Sequence, residues 1–449
     1  MKPTNTLDSR FGRAVVFAAA LALLQLPHFA HAIKTKKPSI ASVLPVVLTG
    51  TDVPAMVGTR VDQVSVFACK NGKPAPIRSQ VDEINESGRV VSRFGKAANV
   101  PPDATPGIID ADDELVLMLS ELGEPCEPEM MKMLRGELHE VKVEATHLNE
   151  PAYAYVLLGQ EFPTPKALVR YEPGEDIVKS SAYAWGFDRE KPWMFNFMQF
   201  NDLTGNKPSR GVLDRTKARF KVKSLAQVMV LNFTEENIES ALEGVRVGPV
   251  RIVRELDVEL KFIPGLEPDA NVTYYQYERY LHFVVRFKLP RQAAVFLSSM
   301  ELRVGFDFSD LRGLRFSTKA LPQGTLIDGQ TIAGEDVIPF GDEPWFMLSG
   351  RGVNLVAGVD WPREINVEPN AFFIDDLKAS NPPERVPGSM PMVGYVLTGW
   401  EGLGAQWYTV TGTVAMLPGF PEGGGSGYFK LVREAPKVSV RPVEMPTAQ

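Results

Sequence analysis

The 449-residue chain predicts a mostly β fold, an antiparallel β-sandwich or supersandwich with few short helices. Three observations lead there. Short runs of alternating polarity recur along the chain, the pattern of strands with one buried and one solvated face. The 37 glycines and 36 prolines punctuate these runs throughout and do not gather in one tail. Capped helical periodicity is thin.

The first element is a leader. Lys2, Arg10 and Arg13 form a basic start, residues 14–24 are apolar, and Ala30-His31-Ala32 puts small residues where a signal peptidase reads. The apolar run is too short to span a bilayer, so cleavage after Ala32 and a periplasmic or extracellular protein are expected. Ile33 and not a cysteine follows, which argues against a lipid anchor. Three basic residues and Asp8 leave with the leader, so the net charge moves from −7 to −9. An acidic chain without a Lys/Arg block is a poor partner for nucleic acid or anionic lipid. No later apolar stretch approaches a membrane span.

Strands are expected at 64–69, 114–119, 142–145, 153–158, 250–263, 274–289, 300–308 and 407–416. The best helix is 234–242, with Thr234 as N-cap, Glu235 and Glu236 in the first turn and Gly244 past the end. A Pro/Gly-punctuated stretch near 160–175 suggests two β domains, 33–165 and 166–435, and an extended tail over 436–449. Residues 381–391 read as a Pro-rich loop. The Gly-rich segment 419–427 lacks the GK[ST] of a phosphate loop and reads as a long hairpin loop before a last strand at 428–433.

Cys69 and Cys126 are the only cysteines, with no CxxC, which excludes thiolate zinc and c-type haem sites. Either a disulfide or two buried thiols satisfies them. After the leader only His139, His147 and His282 remain, too few for a multi-histidine metal site.

Candidate chemistry lies in three places. Asp110, Asp112, Asp113 and Glu114, with Asp103, Asp82 and Glu83 upstream, form the densest acid cluster, as a Ca²⁺ site requires. Asp110, Asp112, Glu114 and Glu121 fall at positions 1, 3, 5 and 12 of an EF-hand loop, but Leu115 stands where that loop needs glycine. A solvated turn before a strand explains the same residues. Along 274–289, period two places Tyr280, His282 and Arg286 on one face with Glu278. Arg neutralising a uronate carboxylate while Tyr or His takes the α-proton would suit a polysaccharide lyase; a solvated sheet face has the same composition. Residues 249–263 alternate similarly, with Arg251, Glu255, Asp257, Glu259 and Lys261 on one face. Finally, Trp185, Trp193, Trp345, Trp361, Trp400 and Trp407 all lie beyond the proposed boundary near 160–175, either as core or as platforms for sugar rings.

Three fragments, Gln80-Val81-Asp82-Glu83, Asp112-Asp113-Glu114-Leu115-Val116 and Gly248-Pro249-Val250-Arg251, make the chain resemble secreted bacterial proteins with a galactose-mutarotase-like β-supersandwich. Among these is an uncharacterised domain found beside pectin- and rhamnogalacturonan-degrading enzymes. The resemblance covers thirteen residues and implies a supersandwich and a glycan-associated role, with no catalytic residue carried over. These readings predict an exported β-sandwich protein that binds or processes a polysaccharide, with Ca²⁺ as its one candidate cofactor. The alternative is a non-catalytic structural or assembly accessory of the cell envelope.

Overall fold

Five antiparallel sheets hold the strands of the described residues. The computed structural model describes residues 43–444 except 97–102, 133, 147, 164, 202–210, 225–229, 262–267, 290–296, 331–336, 363–365, 379–381, 387, 389–390 and 401–402. The leader, His147 and parts of the 381–391 loop therefore lie outside the described residues. From Ser39 onward the chain is one unit.

Two sheets are built from strands up to residue 158, the second joined by one strand from residues 437–442. The first orders β1 (Pro45–Thr49), β5 (Glu114–Met118) and β4 (Gln80–Asp82). The second orders β27 (Lys437–Pro442), β6 (Glu137–Glu144), β7 (Ala152–Leu158), β2 (Val64–Lys70) and β3 (Lys73–Pro76). Alternate residues such as Leu48, Leu115, Leu117, Val66, Val141 and Val156 interleave between them as one apolar core. On the opposite face of the second sheet, in a separate cluster with Phe67, Leu138 and Tyr155, Cys69 and Cys126 are disulfide-bonded, with Cα atoms 5.4 Å apart. A loop of 57 residues closed in this way restricts the unfolded chain by about 4 kcal/mol.

A small sheet, β11 (Phe195–Phe200), β10 (Tyr183–Phe187), β9 (Ile177–Ser180) and β8 (Val169–Glu172), links this region to two large sheets. One runs β13 (Val230–Thr234), β12 (Leu213–Ser224), β18 (Leu297–Phe308), β25 (Met392–Thr398), β24 (Glu368–Ile374) and β21 (Val337–Pro339). The other has nine strands: β14 (Ile238–Val247), β15 (Ile252–Leu260), β16 (Asp269–Gln276), β17 (Tyr280–Lys288), β26 (Trp407–Met416), β23 (Val353–Asp360), β22 (Trp345–Gly350), β19 (Arg315–Thr318) and β20 (Thr325–Leu326). Their facing sides share the largest core, exemplified by Phe316 stacked on Phe373 at 4.5 Å and Phe346 beside Tyr395 at 5.4 Å. The predicted β-sandwich class is what the chain adopts. No helix among the described residues is long and apolar enough to cross a membrane.

Four local expectations are corrected. The helix at 234–242 stops after one 3-10 turn, Glu235–Asn237. Thr234 does cap it, accepting from the Glu236 amide, but Glu235 is buried and ion-paired to Arg215 at 3.4 Å and to Arg219, and the chain then runs straight into β14. Gly244 sits at a β-bulge opposite Glu255 and not at a helix end. The single strand at 274–289 is a hairpin, with Glu278 and Arg279 as the loop and Tyr277 N–H donating to Tyr280 at 2.8 Å. That turn contains none of the residues that usually mark one, so the alternation read through it. Folding back places Tyr274 beside Phe283 and Tyr275 beside His282, the reverse of the faces an unbroken strand would give them.

Residues 428–433 belong to a helix, Gly424–Arg433, and not to a strand. Gly425, Tyr428 and Phe429 are buried on one side at helical spacing, and the Gly425 position lies directly on the Trp345 ring, where a Cβ would collide. The glycines that read as a loop serve this contact and a left-handed start at Gly423, φ 73°. Beyond it, residues 437–442 are extended but not loose: they pair along β6 from Lys437 opposite Glu144 to Pro442 opposite His139.

Candidate functional site

The four residues expected to form a catalytic face do not converge. Tyr280 is only 6% exposed and packs in an apolar cluster with Tyr277, Trp345 and Tyr428, where burial raises its phenol well above the ordinary range. His282 is partly buried, its ring stacked on Tyr275 at 5.8 Å, and burial holds it down to about 4, so it is neutral at pH 7. Arg286 is exposed and lies over the exposed Trp407 ring at 5.8 Å. It is six strand positions from Tyr280, about 20 Å. Glu278 is in the hairpin turn and accepts from the Ser181 hydroxyl at 2.6 Å. Among the described residues no hydrogen bond joins any two of the four.

The same outer face of the nine-stranded sheet does hold a dense polar network, two strands further on at the start of β15. Arg251 Nε donates to Asp82 Oδ2 at 2.9 Å, its Nη1 to the Tyr277 hydroxyl at 3.1 Å, and its Nη2 to Glu114. Asp82 also receives Arg246 Nε at 2.9 Å. Gln80 accepts the Val250 and Arg251 amides at 3.0 and 2.9 Å and donates to Asp82. Gly248 lies where a side chain would collide with Gln80. The three fragments that carried the family resemblance thus meet in one buried lattice that joins the N-terminal sheet to the large sandwich. Nearby, Glu255 accepts from Val90 N–H at 3.1 Å while its second oxygen has no partner among the described residues; burial pushes its carboxyl up to about 7.

This lattice also takes Glu114 out of the acid cluster. Asp112 is exposed. What the structure does bring together is Asp103, Asp110 and Asp113, each offering an oxygen within 4.8 Å of the others. Asp113 is fully buried and accepts from the Ile84 and Asp110 amides at 2.8 and 2.9 Å; burial raises its carboxyl to about 6. Asp103 accepts from the Ala104 and Thr105 amides at 2.7 and 3.2 Å. Three carboxylates fall short of the six to eight oxygens a Ca²⁺ ion takes, and two of them already organise backbone turns.

Reasoning from sequence missed an open polar cleft of about 630 Å³ lined by Lys96, Tyr171, Asp176, Arg189, Pro192 and Ser240, among others. Its floor is Asp176, whose Oδ1 accepts from the Tyr171 hydroxyl at 2.9 Å and whose Oδ2 accepts from Arg254 Nη2 at 2.5 Å. Arg254 is wholly buried, its guanidinium 3.4 Å from the Phe187 ring centre. Asp176 adopts φ 51°, the left-handed region, which an aspartate tolerates at a turn. Phe94, 42% exposed, lies 6.0 Å from Tyr171 and extends the aromatic surface. Lys96 is 3.4 Å from Glu243, and Arg189 donates to the Gly174 carbonyl. The available signal was the Pro173-Gly174-Glu175-Asp176 turn, which reads equally well as domain punctuation.

Of the six tryptophans, Trp185 and Trp345 are core, Trp193, Trp361 and Trp400 line the space between the large sheets, and Trp407 is 47% exposed.

No family model and no curated protein matches this chain. Among solved structures, it is similar to an alpha-mannosidase from Enterococcus faecalis V583, with a TM-score of 0.40 and 10% identity over 88% of this chain and 48% of that one. It is similar also to a protein in the glycosyl hydrolase family 38 from Enterococcus faecalis, with a TM-score of 0.40 and 9% identity over 92% of this chain and 49% of that one. The chain spans about half the length of these neighbours.

Proposed function

We propose that this protein binds an acidic polysaccharide in the cleft between Lys96, Tyr171, Asp176 and Arg189. One observation carries the reading. In a chain of net charge −7 the cleft presents two cations, Arg189 and Lys96, the latter 3.4 Å from Glu243, while the carboxylate that lines it, Asp176, is already ion-paired with Arg254 from beneath. A guanidinium matches a uronate carboxylate in geometry and charge, and Tyr171 with Phe94 offers the apolar surface on which a sugar ring lies. Export, expected from the leader, would place such a protein where polysaccharides are met. Binding is assigned and not cleavage because Tyr280, His282, Arg286 and Glu278 do not share a site.

Titration calorimetry with oligogalacturonate and with a neutral maltooligosaccharide tests this. The acidic oligomer is expected to bind, and Arg189→Ala or Lys96→Ala to weaken it by about tenfold, roughly 1.4 kcal/mol. No binding of any acidic oligomer, or equal binding by the double variant, would overturn it. A structural or assembly role in the envelope is the second reading, favoured by the buried Arg251–Asp82 lattice, which fastens sheets together without exposing chemistry. Protein-partner capture by a chain that binds no glycan would support that alternative.

A further inference from the structure

The six- and nine-stranded sheets leave an elongated chamber of about 340 Å³ between them. It runs beside β18 from Met300 to Phe306, about 20 Å of strand, and beside β17 from Leu281 to Leu289. Inward-facing Phe283, Phe287, Val304 and Phe306 are only partly buried, so this space is reached by solvent where sandwich interiors are normally filled. Its wall offers water almost nothing. Among the described residues no charged side chain lines it. The Thr216 hydroxyl is engaged with Phe195, the Tyr274 hydroxyl donates to the Trp193 carbonyl, and Trp193 Nε1, Trp361 Nε1 and the Tyr395 hydroxyl are shut away with no partner among the described residues. Water enters a cavity when several polar partners await it; an apolar cavity of about 150 Å³, less than half this size, stays dry and takes up hydrocarbon.

We propose that this chamber binds a long acyl chain, with the polar head left at the mouth. Length selects a chain over a compact ring, and the absence of charge inside excludes burial of a carboxylate or phosphate. Gly305 and Gly394 face each other across β18 and β25 on the chamber wall, where side chains would intrude on the neighbouring backbone. The acyl chain can be that of a free fatty acid or of a lipid. The inference is independent of the saccharide cleft.

The experiment titrates the full chain with cis-parinaric acid and reads energy transfer from tryptophan, three of which line the chamber. Saturable transfer is expected, with competition by palmitate if the natural occupant is a free acid and by lysophosphatidylcholine if it is a lipid. Val304→Trp and, separately, Ala357→Leu narrow the chamber and are expected to weaken binding by about tenfold or more while melting no earlier than the parent. Lys96→Ala is expected to leave it unchanged. Absence of saturable transfer in the parent would overturn the proposal. So would undiminished binding in whichever narrowed variant folds.

Discussion

Asp82 and Arg251 meet with no water between them: Arg251 Nε is 2.9 Å from Asp82 Oδ2, and Asp82 is wholly inaccessible. Asp82 ends β4, Arg251 immediately precedes β15 of another sheet, and the two lie 169 residues apart. An ion pair so placed stabilises little relative to an apolar pair of the same shape, but losing one partner strands the other. Asp82→Ala leaves both Arg251 and Arg246 without their shared carboxylate. The expected cost is about 3–5 kcal/mol, read by urea denaturation. A loss below about 1 kcal/mol, the scale of an exposed pair, would show that this lattice is not buried in solution.

The pH dependence of stability divides between two neighbours on the same sheet. Glu255 has its carboxyl raised from the usual 4.5 to about 7 by burial, with Asp257 and Glu243 adding to the rise. Its protonated form favours the fold, so its contribution is complete below pH 4.5 and disappears as pH climbs to 7. His282 runs the other way: lowered from 6.5 to about 4, it favours the fold above pH 6.5 and ceases to as pH falls to 4. Glu255→Gln is therefore expected to gain on the parent between pH 5 and pH 8. His282→Gln is expected to flatten the acid limb. Parallel pH curves for parent and variants would contradict both assignments.

For the acid cluster the expected result is structural. Asp113 carries the Ile84 and Asp110 amides, so Asp113→Ala removes two half-buried hydrogen bonds at about 1 kcal/mol each. Millimolar Ca²⁺ is expected to leave the melting temperature of the parent unchanged. A rise that vanishes in Asp103→Asn would instead establish a bound cation by linkage.

Gly425→Ala is expected to destabilise by about 1–3 kcal/mol, even though alanine is the better helix former, because the added methyl meets the Trp345 ring. Trp345→Leu in the same chain should restore part of the loss. Thermal melts of the two variants check this; a Gly425→Ala protein as stable as its parent would mean that the helix does not seat on Trp345.

Much of the fold could be read in advance: β2, β5, β7 and β26 lie where short apolar-rich runs place them, although only the start of β26 alternates between buried and exposed, the first three being covered on both faces. What could not be read had a tertiary cause. The Glu278-Arg279 turn uses no turn residue, and the glycines before Tyr428 suggest a loop until Trp345 is seen against Gly425. The predicted sites fared similarly. Arg251 and Glu255 looked like one charged strand face, and their burial became visible only once residues 80–94 lay across them. Asp176 and Lys96, 80 positions apart, share no local pattern at all.

The last strand has a consequence for how the chain is made. β27 pairs residues 437–442 with β6, some three hundred residues earlier, and Arg441 reaches Glu140 at 2.7 Å. One side of β6 therefore stays unpaired until residues 437–442 have been made, and unpaired strand edges invite pairing with other chains. A nascent or truncated chain ending before Lys437 would be the aggregation-prone species, and chaperone dependence should fall sharply once residues 437–442 emerge.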